Sequence, residues 1–140
     1  MTETQEYLEQ YAGLKYEIRQ LLEEQQRWRD LATRITPSYS PAPVRASGGA
    51  GKIQNAVEQI EEWEEALTKK ISEQLAMRKE IETVLEGVKV PEYRMLLKLR
   101  YINGYTWERV ADETGYTRRH VLKMHIKALE AFKAVKDDIE

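Results

Sequence analysis

From Tyr7 to Ile35 the less polar positions recur in alternating steps of four and three: Tyr7, Tyr11, Leu14, Ile18, Leu21, Gln25, Trp28, Ala32 and Ile35. A heptad spacing of this kind predicts a long amphipathic helix over about residues 2–36. Gln25 interrupts the seam, either as a buried polar residue that fixes register or as a solvated edge position. Pro37, Pro41, Pro43 and the Gly48-Gly49 pair then remove backbone donors and raise chain entropy, so residues 37–51 are expected to form a flexible linker. A second long helix is predicted over 52–87. Its apolar stripe is Ile53, Val57, Ile60, Trp63, Leu67, Ile71 and Leu75, followed by a phase slip before Ile81, Val84 and Val88.

Two amphipathic helices of similar length joined by a linker can close as an antiparallel hairpin, each burying its stripe against the other. Tyr7, Tyr11, Trp28 and Trp63 are more aromatic surface than one hairpin needs, which predicts association into a homodimer. The competing expectation is a monomeric spacer packed back on its own C-terminal part. Gly87 and Pro91 bracket the end of this segment, since glycine ends helices well and proline begins them well. A boundary therefore falls between residues 1–88 and 89–140.

The C-terminal part opens with a predicted helix over 91–102, which turns Tyr93, Leu96, Leu97 and Tyr101 to the core and ends at Asn103-Gly104. Thr106 and Thr117 each open a further apolar-periodic run, and each hydroxyl can cap free helix N–H groups. Tyr105 with Val110, and Tyr116 with Val121, have the spacing of hydrophobic staples. Ala111 leaves room for a crossing helix, and Gly115 can take the positive φ that ends the first one. This is the pattern of a helix-turn-helix. In its second helix Val121, Met124, Ala128 and Phe132 form the inward stripe, leaving Arg118, Arg119, Leu122 and Lys123 outward.

Charge sharpens this picture. The chain carries −2 overall, but residues 1–36 hold −2, residues 51–86 hold −4 and residues 87–140 hold +3. Between Glu113 and Glu130 there is no acid, while Arg118, Arg119, Lys123, Lys127, His120 and His125 all fall there. A basic face at a helix N-terminus suits a polyanion: Arg and Lys neutralise phosphates and reach guanine O6 and N7 in the major groove. Contact is expected in the C-terminal third alone, because the acidic segments repel phosphate.

Residues 96–132 resemble region 4 of bacterial sigma-70-type factors, which reads the promoter −35 element. The likeness lies in the run Leu97-Lys98-Leu99-Arg100-Tyr101, in Gly104, in Thr106 with Val110-Ala111, in Arg118 with Val121, and in Ala128-Leu129. With the helical segment in front, the whole chain resembles phage late-gene transcription regulators of the ArpU/RinA type. The resemblance implies base reading by Arg118, Arg119 and Lys123, and backbone contact by Arg100, Thr106 and Lys127. Thr117 and His120 stand at the start of the same helix. Leu122 and Lys123 depart from the sigma pattern, which has arginine and glutamine there; Leu122 could touch a thymine methyl. Sigma region 2 has no counterpart, so a complete sigma factor is not expected.

Other classes fit less well. Gly51-Lys52 ends like a phosphate-binding loop, but Ala46 and Ile53 replace its required Gly and Ser/Thr. His120 and His125 are five apart, on different sides of a helix, which makes them poor partners for one metal; each is expected as a phosphate or base-edge neighbour, or exposed. Neither a metal nor a cofactor is expected, and nothing resembles a nucleophile held by a base, so no enzyme is expected. Without cysteine there is no disulfide, which points to a reducing cytoplasm, by the resemblance that of a bacterial host. No apolar run is long enough to span a membrane.

The expectation is an all-α protein, a long antiparallel hairpin followed by a helix-turn-helix of sigma region 4 type. It would bind duplex DNA as a dimeric transcription regulator, with bacterial RNA polymerase a further candidate partner. The alternatives are a phage small terminase subunit, marked by a ring-forming oligomer, and a polymerase-interaction module that no longer reads DNA.

Overall fold

The computed structural model describes residues 2–35 and 46–140, and side chains over 2–34 and 51–140. Among these the regular structure is entirely helical. Helix α1 spans Glu3–Ile35, α2 Ala46–Gly87, α3 Pro91–Leu97, α4 Trp107–Thr114 and α5 Arg118–Ile139, with a π-helical segment at Lys98–Ile102. The linker expected at residues 37–51 lies outside the described residues as far as residue 45. From Ala46 onward the chain is already helical, six residues ahead of the expected start at 52. The first N–H groups of a helix need no intrahelical partner, so a glycine-rich opening turn gives up little hydrogen bonding.

Helices α1 and α2 pack antiparallel, and the chain divides into two compact units, Met1–Lys15 with Gln74–Glu140, and Tyr16–Glu73. In the second unit Lys70 Nζ meets Glu17 Oε2 at 2.7 Å, and Arg29 donates to Glu64 Oε1 at 3.0 Å. The α1 stripe lies inward as expected, with Leu14, Ile18, Leu21, Gln25, Trp28 and Ala32 all shielded.

The α2 stripe is the expected one in part: Ile60, Trp63, Leu67, Ile81, Val84 and Val88 are shielded, but Ile53, Val57, Ile71 and Leu75 are not. Ala56, Ile60, Trp63, Leu67, Lys70, Gln74, Met77, Ile81, Val84 and, just past the helix, Val88 are shielded in unbroken alternating steps of four and three, with Gln59, Ala66 and Leu85 shielded beside them. There is no phase slip. Polar Lys70 and Gln74 continue the seam, and Lys70 tolerates this because Glu17 and Glu73 neutralise it. Ile53, Val57, Ile71 and Leu75 are left on an exposed flank.

The first unit is built around one buried cluster. Leu8 and Tyr11 from α1, and Ile81, Val84 and Leu85 from α2, meet Leu96, Leu97, Tyr101, Ile102, Val110, Val121, Ala128, Leu129 and Phe132. Val88, at the expected boundary, is itself buried. Tyr7 adds an edge to this core, donating to Glu80 Oε2 at 2.9 Å with its ring 6.2 Å from that of Phe132. Gly87 has no left-handed φ; what it supplies is closeness, since a Cβ there would stand 2.5 Å from Val135 Cγ1.

The helix expected over 91–102 changes pitch halfway. Asn103 N–H donates to Lys98 C=O at 2.9 Å, a five-residue π closure. The reason lies in spacing: the buried pairs Leu96-Leu97 and Tyr101-Ile102 are five apart, and the wider turn brings both to one face. Lys15 Nζ donates to the Ile102 carbonyl at the end of this segment.

Candidate nucleic-acid interface

The turn between α4 and α5 is set by local chemistry already visible in the residues. Thr106 Oγ1 accepts from Arg109 N–H at 3.2 Å, and Thr117 Oγ1 accepts from His120 N–H at 3.1 Å, so each threonine caps its helix. Gly115 takes φ 78°, and its N–H donates to Ala111 C=O at 2.9 Å, closing α4 in the left-handed manner. Tyr105 is partly buried against the core, in keeping with a staple. Tyr116 is 36% exposed, and the ring it meets is that of His120, edge-on at 4.8 Å.

Helix α5 has two faces of opposite chemistry. Val121, His125, Ala128, Leu129 and Phe132 are buried, with Met124 half-buried beside them. Arg118, Arg119, His120, Leu122, Lys123, Ile126 and Lys127 are exposed. The structure thus brings six of the expected site residues, Arg118, Arg119, His120, Leu122, Lys123 and Lys127, onto one exposed stretch of helix, with Thr117 capping its start.

Arg100 and Thr106 belong to other elements. Arg100 is half-buried: Nη1 donates to Tyr105 C=O at 2.9 Å, and the guanidinium lies 4.6 Å from the centre of the Trp107 ring. Part of its donor capacity is spent bracing the loop into α4. The Thr106 hydroxyl is committed to its cap.

His125 corrects an expectation. It is neither exposed nor a phosphate neighbour, being only 7% exposed. Its Nε2 and the Tyr101 hydroxyl are joined by a 2.7 Å hydrogen bond, and Trp107 meets its ring edge-on at 4.5 Å. Burial, with Arg100 adding like-charge repulsion, pushes its pKa down to about 4, so the ring is neutral. Burial likewise raises the Tyr101 hydroxyl to about 12. The pair closes the contact between the π segment and α5. One exposed residue escaped the sequence reading altogether: Ile126, 61% exposed, one turn beyond Leu122. Its outward phase was readable from the helical period.

Among the described residues no group of three or more His, Cys, Asp or Glu is placed to hold a metal ion, and no helix is long and apolar enough to cross a membrane. Among the described residues, fold and surface together define a helical protein with an exposed cationic face on one capped helix. The chain belongs to the family described as "protein of unknown function (DUF1492)", whose model matches residues 36–133 and so takes in α2 through most of α5. Comparison with curated proteins and with solved structures gives no match.

Proposed function

We propose that this protein is a sequence-specific duplex-DNA-binding transcription regulator that lays the first half of α5 in the major groove. One observation carries the reading: Arg118, Arg119, Lys123 and Lys127 are all exposed, on a helix held from behind by Val121, Ala128 and Phe132. The absence of acids from residue 114 to residue 129 leaves that face uncompensated in an otherwise acidic chain. A capped helix N-terminus adds partial positive charge toward phosphate. The α4–turn–α5 arrangement is then a helix-turn-helix, with α4 crossing the backbone and α5 reading bases. The exposed Tyr16, Leu22, Leu31, Ile53, Val57 and Ile71 support dimerisation through the N-terminal helices, which would present two recognition helices to paired half-sites. By the resemblance to late-gene regulators of the ArpU/RinA type, the output is activation of phage late genes.

Selection of bound sequences from a random duplex library at near-physiological salt tests this. An enriched motif with two-fold symmetry is expected. On that motif Arg119→Ala costs about 1–3 kcal/mol and relaxes base preference, as loss of a bidentate contact does. Lys127→Ala weakens all sequences alike and lowers the salt slope by about one. No enrichment, with binding that disappears as salt rises, would defeat the reading in favour of a protein-interaction module.

A further inference from the structure

Leu122 and Ile126 are 38% and 61% exposed on successive turns of α5, and neither belongs to the core cluster. A single exposed aliphatic side chain needs no explanation. Here, however, both stand within the cationic face. Ile126 is three residues from Lys123 and seven from Arg119, and so falls on the same side of the helix, while Leu122 is four from Arg118. Few surfaces suit aliphatic groups set among uncompensated cations. An anionic polymer that displays methyl groups is one, and the major groove of duplex DNA does so at the C5 position of each thymine.

We propose that Leu122 and Ile126 are thymine-methyl readers, so that the sequence bound carries thymines at two set positions beside the bases contacted by Arg119 and Lys123. This rests on the DNA-binding reading above and adds the determinant of specificity. At 1.5 Å of rise per residue the two side chains lie about 6 Å apart along the helix, or roughly two base-pair steps. Both thymines should therefore fall within about three base pairs of each other in one half-site.

The test replaces each thymine of the selected duplex by deoxyuridine, which keeps every hydrogen-bonding group and lacks only the methyl. Binding by the intact protein, Leu122→Ala and Ile126→Ala is then compared; both positions are exposed, and alanine favours helix. The intact protein should lose about fourfold in affinity at each of two positions, the worth of one buried methyl group. Leu122→Ala should become insensitive to the substitution at one of them and Ile126→Ala at the other. If a sequence is selected but deoxyuridine is neutral throughout, the inference falls while the DNA-binding reading stands. The inference also falls if each variant keeps both sensitivities. If no duplex is selected at all, and Leu122→Ala and Ile126→Ala instead alter self-association, both readings fall and the face is a protein contact.

Discussion

The two compact units use the same raw material, amphipathic helix, to opposite effect. In the unit formed by Met1–Lys15 and Gln74–Glu140, apolar side chains from every helix converge on one cluster, and Tyr11, Tyr101 and Phe132 are fully enclosed. In Tyr16–Glu73, Ala56 is the one buried apolar residue among those described. There Tyr16, Leu22, Leu31 and Val57 stay exposed, and the Trp63 Nε1–H is enclosed without an acceptor. Two helices can cover only one stripe each, whereas short helices crossing at several angles surround a centre. Stability therefore resides in the first unit. In the second, Leu22, Leu31, Ile53, Val57 and Ile71 remain exposed around a single covered seam.

The contrast is open to attack, most forcefully at its centre. Phe132→Ala should cost about 3–5 kcal/mol in denaturant unfolding, the range for emptying a packed aromatic site. A cost below 1 kcal/mol would mean that the first unit is no better packed than the second.

His125 offers a probe by pH. The unfolded ring takes up a proton near 6.5 and the folded one only near 4. Between those values the unfolded state holds more protons, so stability should fall as pH drops through that window, by up to about 3 kcal/mol. His125→Gln should flatten the curve. An unchanged slope in the variant would place the proton uptake elsewhere.

Gly87→Ala probes the close approach of α2 to α5. The added methyl meets Val135 at 2.5 Å, and overpacking of this kind costs about 1–3 kcal/mol, against which alanine's better helix propensity recovers part. The double variant with Val135→Ala should regain most of the loss.

The smallest effect is expected in the second unit. Arg29→Ala removes an exposed ion pair with Glu64, for which 1 kcal/mol or less is the usual order. A larger loss would show that this unit depends on its ion pairs.

The sequence by itself determined whatever depends on near neighbours in the chain. The threonine caps at 106 and 117, the left-handed Gly115, the inward Val121, Ala128 and Phe132 and the exposed basic face all follow from spacings of a few residues. A helix end or a helix face is set by groups within about two turns, so these were legible. The tertiary structure alone decided the rest. The seam of α2 runs through Lys70 because α1 offers Glu17 opposite, a partner far away in sequence. The π turn at Lys98–Ile102 exists because two buried pairs five residues apart must share one face. His125 is a core residue because Tyr101 and Trp107 come to it from other elements. The expected boundary at residues 88–89 falls inside the first unit because the ends of α1 and α2 supply part of its core. In each case the deciding partner is distant along the chain, and hydrophobic periodicity records that a residue will be buried but not against what.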